Sequence, residues 1–184
     1  MDIYLIQHAE SVSEKEDAAR PLSDEGKDTM ERVGAVAARL GIKPDLIFHS
    51  GKLRARQTAE ILAGHLGLSD KVHEKRGLGP LDPVTPVAEW LKEAARSLSG
   101  VAIVGHLPFL DKLASVLVAR DENLSVVSFQ NGAITKLVPK VDGATYAVQW
   151  LIIKELAEPA QTSSRSRTPG LISRCRRKSR SLTQ

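Results

Sequence analysis

The chain has 184 residues, 42% hydrophobic and 26% charged, the length and balance of one globular domain with a proper core. Its single cysteine, Cys175, excludes an intramolecular disulfide and a cysteine-based zinc cage and fits a reducing compartment. The net charge of +4 is uneven: the first 158 residues carry 19 basic and 22 acidic residues, whereas residues 159–184 carry seven basic residues and no acidic one.

Two parts are therefore expected, a domain over 1–158 and a basic Ser/Arg-rich tail over 159–184. The tail holds too few apolar residues to offset its ordering entropy and is expected to be disordered. Seven positive charges without aromatic residues give no sequence readout, so no specific nucleic acid is expected as partner. The run Met1–Gln7 is too short for a secretory signal, and no apolar stretch approaches the roughly 18 residues of a membrane span. A soluble, cytoplasmic protein with no membrane partner is expected.

In chain order, Ile3 to Ile6 is the first strand. Ser23 caps a helix running to Leu40, because Met30, Val33, Val36, Ala37 and Leu40 share one face and Gly41 stops it. Leu46 to Phe48 is a short strand, Leu53 to Leu66 a helix ended by Gly67, and a weak strand lies around Val72. Gly79, Pro80, Pro83 and Pro86 predict a loop from Gly77 to Pro86. Val87 to Leu98 is a helix, Val101 to Val104 a buried strand, and Pro108 to Ala119 a helix with proline near its start. Strands at Ala133 to Val138 and Tyr146 to Ile153 flank an Asp142-Gly143 hairpin turn. This alternation predicts an α/β fold, a three-layer α/β/α sandwich around a mainly parallel sheet.

Two histidines stand just beyond predicted strands, His8 and His106, where ligands bind in open α/β sheets. Between them Ser50-Gly51-Lys52-Leu53-Arg54-Ala55-Arg56 opens a helix directly after a strand. Unpaired N–H groups, the helix dipole and a guanidinium fork there suit an anion. The alternative is that Lys52, Arg54 and Arg56 are a solvated helix face. His49 adjoins this helix, while His65 and His73 read as surface residues. No histidine pair has metal-site spacing, so no metal is expected. Trp90 and Trp150 read as core residues.

Three segments, Leu5-Ile6-Gln7-His8-Ala9, Arg54-Ala55-Arg56-Gln57-Thr58-Ala59 and Gly105-His106-Leu107-Pro108, resemble the Arg-His-Gly, Arg-Ala-x-Gln-Thr-Ala and Gly-His-x-Pro motifs of the histidine phosphatases. Arg20-Pro21-Leu22-Ser23-Asp24-Glu25-Gly26 is similar to the Arg-Pro-Leu-Thr-x-x-Gly segment of the SixA-type protein phosphohistidine phosphatases. The resemblance implies a phosphoglycerate mutase-like fold and a phosphatase that needs no metal or other cofactor. It implies His8 as the nucleophile that becomes phosphorylated, Arg54 and His106 as catalytic partners, and Gln7, Arg20, Arg54 and His106 as the phosphate-binding set. Asp82 and Glu10 are the candidates for a general acid, with Glu74 a weaker one.

Gln7 stands where the family has arginine, and an amide lacks the charge and the bidentate fork. Ala9 replaces glycine, which matters only if the backbone there needs positive φ. The segment between the Arg54 helix and the next one is too short for a lid domain. An open site suits a phosphorylated protein as substrate better than an enclosed metabolite. The readings left open are a protein phosphohistidine phosphatase, a weakened phosphate- or phosphoprotein-binding module, and a small-molecule phosphomonoesterase.

Overall fold

The computed structural model describes residues 1–141 and 143–157. Asp142 of the expected hairpin turn and the basic tail lie outside the described residues. Strands β1 (Asp2–Gln7), β2 (Leu46–His49), β3 (Val72–Glu74), β4 (Gly100–Gly105), β5 (Ile134–Pro139) and β6 (Tyr146–Ile152) form one sheet in the order β3-β2-β4-β1-β5-β6. The first four are mutually parallel; β5 runs antiparallel to β1, and β6 antiparallel to β5.

Alternation along the strands divides the core into two faces. Tyr4, Ile6, Ile47, Ala102 and Val104 pack with the apolar faces of α1 (Asp24–Arg39) and α2 (Leu53–Leu66). Ile3, Leu5, Val101 and Ile103 pack with α3 (Thr85–Ala94) and α4 (Phe109–Ala119) on the other side. Helices thus cover both faces, the three-layer arrangement expected from the alternation of elements. All of β4 is buried, as a central parallel strand should be.

The chemistry of each terminus sets where helices begin and end. Ser23 is extended and its Oγ accepts from the Gly26 N–H, capping α1; Gly67, at φ 67°, ends α2 in the left-handed conformation. Two boundaries differ from expectation. Helix α3 starts at Thr85, so Pro86 lies in its first turn rather than in the loop, where a missing N–H costs nothing. The same helix stops at Ala94, with Ala95–Ser97 a turn before β4. A short helix α5 (Lys154–Ala157) follows β6. No helix among the described residues is long and apolar enough to cross a membrane.

Register positions the site. β1 and β4 pair from Asp2↔Gly100 to Gln7↔Gly105, so the next residue of each strand is a histidine and the two emerge side by side. The His8 N–H still donates to the Gly105 carbonyl, at 3.1 Å.

Candidate active site

The rings of His8 and His106 lie 4.9 Å apart, centre to centre, inclined at 56°. His8 Nδ1 is 2.7 Å from the Ala9 carbonyl oxygen, which can only accept, so Nδ1 carries the proton. Arg54 Nε donates to His8 Nε2 across 3.2 Å. The two bonds together specify a neutral ring whose Nε2 lone pair faces the guanidinium. Burial, opposed by the Ala9 bond and reinforced by Arg54 and Arg20, lowers the His8 pKa to about 4. His106, 2% exposed, is lowered to about 3 by burial and then by His8, Arg54, Lys52 and Arg20.

The Arg-Ala-Arg-Gln-Thr-Ala segment ties this arrangement together one side chain at a time. Arg54 turns inward, whereas Lys52 and Arg56 are exposed and Arg56 pairs with Glu60 at 3.5 Å. The basic triplet therefore divides, one residue into the site and two on the solvated face. Gln57 Oε1 accepts from the Leu22 N–H at 2.7 Å. Thr58 accepts from the Ala9 N–H at 3.1 Å and donates to the Arg54 carbonyl at 2.7 Å. Ala55 and Ala59 are fully buried, letting α2 press against the sheet.

The Arg20–Gly26 segment folds against the loop after His8. The Ser23 N–H donates to the Glu10 carbonyl, and Ser11 and Leu22 form an isolated antiparallel bridge. A Cβ on Gly26 would sit 2.1 Å from the Glu10 carbonyl oxygen, so only glycine fits. Ala9 is buried without a positive φ and takes the place of glycine without strain. Arg20 itself adopts φ 50°, with hydrogen bonds of 3.4 Å to the Val12 carbonyl and 3.4 Å to Ser11 Oγ. Those bonds are at the weak limit of length, while its charge acts on His8, Arg54 and His106.

Gln7 sits at the end of β1 with its Nε2 donating to Asn131 Oδ1 at 2.5 Å, and its buried Oε1 has no partner among the described residues. His106 Nδ1 is likewise buried and unpartnered. Atoms left in that state are expensive unless something outside the chain meets them.

No hydrogen bond joins either expected general acid to the imidazoles among the described residues. Glu10 is exposed and its carbonyl serves Ser23, while the Asp82 carboxylate accepts from the Gly79 N–H at 2.7 Å. Glu74 packs against Gly51. Among the described residues, Arg54 and Arg20 act on His8, and His8, Arg54, Lys52 and Arg20 act on His106. No group of three or more His, Cys, Asp or Glu among these residues could hold a metal. Four surface concavities, of about 270 to 650 Å³, are lined by other residues.

Two contacts were not legible in the chain. Ser50 Oγ and His106 Nε2 share a 2.6 Å hydrogen bond, and Asn131 holds Gln7. Each joins residues far apart in sequence, and a lone Ser or Asn carries no spacing signal. The surface readings of His65 and His73 match the structure: His65 pairs with exposed Glu31 at 2.7 Å, and exposed His73 lies beside Phe48. Trp90 and Trp150 are half-buried against the two core clusters.

The chain belongs to the histidine phosphatase superfamily, whose branch 1 family model matches residues 3–82. It is 35% identical over 123 residues to an uncharacterized protein of Picosynechococcus sp., a match covering 64% of this chain and 73% of that protein. It is 34% identical over 97 residues to the mitochondrial serine/threonine-protein phosphatase PGAM5 of Homo sapiens, covering 51% of this chain and 34% of PGAM5. The chain thus spans about a third of that relative. The structure of the protein histidine phosphatase SixA complexed with tungstate superposes with a TM-score of 0.76 at 21% identity, over 86% of this chain and 100% of the other. At that identity the likeness is one of fold, a fold that a phosphatase uses.

Proposed function

We propose that the chain is a metal-independent phosphatase that dephosphorylates phosphohistidine on a partner protein through a covalent intermediate on His8. The observation that carries this reading is the pair of bonds on His8: a proton held on Nδ1 by Ala9 and a lone pair on Nε2 facing Arg54. A neutral imidazole so oriented is a competent nucleophile. An incoming phosphoryl group would draw the Arg54 guanidinium onto its oxygens and free that lone pair.

Nε2 then attacks phosphorus, the bond to the substrate nitrogen breaks, and the departing imidazole nitrogen takes a proton. Water attacks the phosphohistidine in the second half, releasing phosphate and restoring His8. Arg54, His106 and Arg20 stabilise the charge spread over the equatorial oxygens. An imidazole leaving group accepts a proton near neutral pH. Among the described residues the hydrogen bonds on the two rings go to Ala9, Arg54 and Ser50 and none to a carboxylate, which suits a phosphoramidate better than an alkoxide leaving group. A protein substrate is further supported by relatives named as a protein histidine phosphatase and as serine/threonine-protein phosphatases.

The test is turnover of a phosphohistidine-bearing protein against a phosphoserine peptide at pH 7. A preference of tenfold or more for phosphohistidine supports the reading, and equal or reversed rates contradict it. A second reading rests on Gln7, which replaces a guanidinium and is held by Asn131: a site that binds phosphorylated protein with little turnover. It predicts that wild type binds a phosphohistidine protein yet releases no phosphate.

A further inference from the structure

We infer that His49, a residue outside the superfamily motifs, positions Ser50 and through it His106. The inference rests on the proposed role of His106 for its kinetic consequences, and on geometry alone for the contacts themselves.

His49 is the last residue of β2 and is 5% exposed. Its backbone is fixed on both sides: it pairs with Val104 on β4 and with Glu74 on β3, and its carbonyl accepts from the Lys75 N–H at 2.9 Å. The chain must then leave the sheet and enter α2 within a few residues. It does so through Ser50 and Gly51, with Gly51 at φ 82°. The Gly51 N–H donates to His49 Nδ1 at 3.1 Å, closing that turn with the ring of the preceding strand residue. A Cβ on Gly51 would lie 2.8 Å from the Glu74 carboxylate, so the turn is confined on its other side as well.

The residue trapped between these restraints is Ser50, whose Oγ meets His106 Nε2 at 2.6 Å. The His106 ring, which packs beside His8, has no other hydrogen-bond partner among the described residues, because Nδ1 is unpaired. Its rotation within that packing is set by Ser50, and the position of Ser50 depends on the His49 ring. An aliphatic side chain at position 49 would fill the same buried space but leave the Gly51 N–H without its acceptor, which loosens the turn. Asparagine presents an oxygen where Nδ1 stands and preserves the bond. Burial lowers the His49 pKa, opposed by Glu74 and Glu60 and aided by Arg56, which favours the neutral ring that the acceptor role needs.

The experiment compares His49→Leu, His49→Asn, Ser50→Ala and His49→Leu/Ser50→Ala, using phosphohistidine-protein turnover and ¹⁵N NMR of the His106 ring in the free protein. His49→Leu is expected to lower kcat about tenfold with KM within twofold, and to shift the His106 Nε2 resonance. His49→Asn restores both. In the Ser50→Ala background the leucine change has no further effect, since both act through one contact. An unmoved His106 resonance in His49→Leu, an asparagine variant no better than leucine, or additive effects in the double variant would each overturn the inference. If wild type shows no turnover, the proposed activity fails while the resonance comparison still decides the role of His49.

Discussion

His8 and Arg54 face each other across a 3.2 Å hydrogen bond from Nε to Nε2, joining residues 46 positions apart that lie beyond the ends of two different strands. The bond fixes the protonation state of the ring as well as its direction. Replacing Arg54 should therefore do two things. Arg54→Ala is expected to lower kcat/KM about 10²–10³-fold, the usual cost of one preorganised donor. It should also raise the His8 pKa, because Arg54 is among the charges that depress it. Arg54→Lys recovers the charge but not the planar fork. Kinetics together with NMR titration of His8 check both effects, and a lysine variant with full activity would contradict the role given to the fork.

The depressed histidines give a pH signature. His8 near 4 and His106 near 3 both lie below the ordinary histidine value of 6.5, so the unfolded chain takes up protons first as pH falls. Their contribution is fully present above about pH 6.5 and is lost as pH drops toward 3. The combined effect is several kcal/mol, about 8 at most at 1.36 kcal/mol per pH unit. Urea melts at pH 7 and pH 4.5 should show wild type losing more stability than a His8→Gln/His106→Gln variant. Equal losses would mean that the two rings are not buried neutral. Likewise the acid limb of kcat/KM should fall well below pH 6, since that profile reports the free enzyme.

Gln7 supplies a third prediction. Restoring the family residue with Gln7→Arg adds a charge-assisted donor beside His8 and should raise the rate of phosphoryl transfer about tenfold or more. The gain should grow in an Asn131→Ala background, where the Gln7 partner no longer occupies the space. Single-turnover rates of the four combinations test it. A Gln7→Arg variant slower than wild type would show that the amide pair itself is suited to the substrate.

Much of the fold is legible in the sequence because local chemistry and periodicity agree there. The limits Leu53–Leu66 of α2 follow from its apolar pattern and from Gly67, and β4 from an unbroken apolar run. The boundary of α3 is less legible, since Pro86 reads as a breaker yet is tolerated in a first helical turn. The candidate site is legible where motifs carry it: His8, Arg54 and His106 converge as their strand ends require. Contacts created only by tertiary register, such as Ser50 to His106 and Gln7 to Asn131, leave no trace in spacing. The division of labour within Gln57, Thr58 and Ala59 also emerges only once α2 lies against the loop after β1.

Gly26 tests that packing independently of catalysis. A methyl group there would meet the Glu10 carbonyl at 2.1 Å, and the loop carrying Ala9 and Ser11 would have to move. Gly26→Ala is expected to destabilise the protein by about 1–3 kcal/mol and lower its melting temperature by roughly 2–12 °C. Differential scanning calorimetry measures this directly. An unchanged transition would show that the Arg20–Gly26 segment does not brace the loop after His8.

The central claim is that His8 becomes the phosphorylated residue. Wild-type protein incubated with a ³²P-labelled phosphohistidine donor and quenched in alkali should carry label that is stable to base and lost in acid, the behaviour of a phosphoramidate. His8→Ala should carry none, while His106→Ala should retain labelling at a lower rate. Label that persists in His8→Ala, or that survives acid as a phosphoester, would contradict the account.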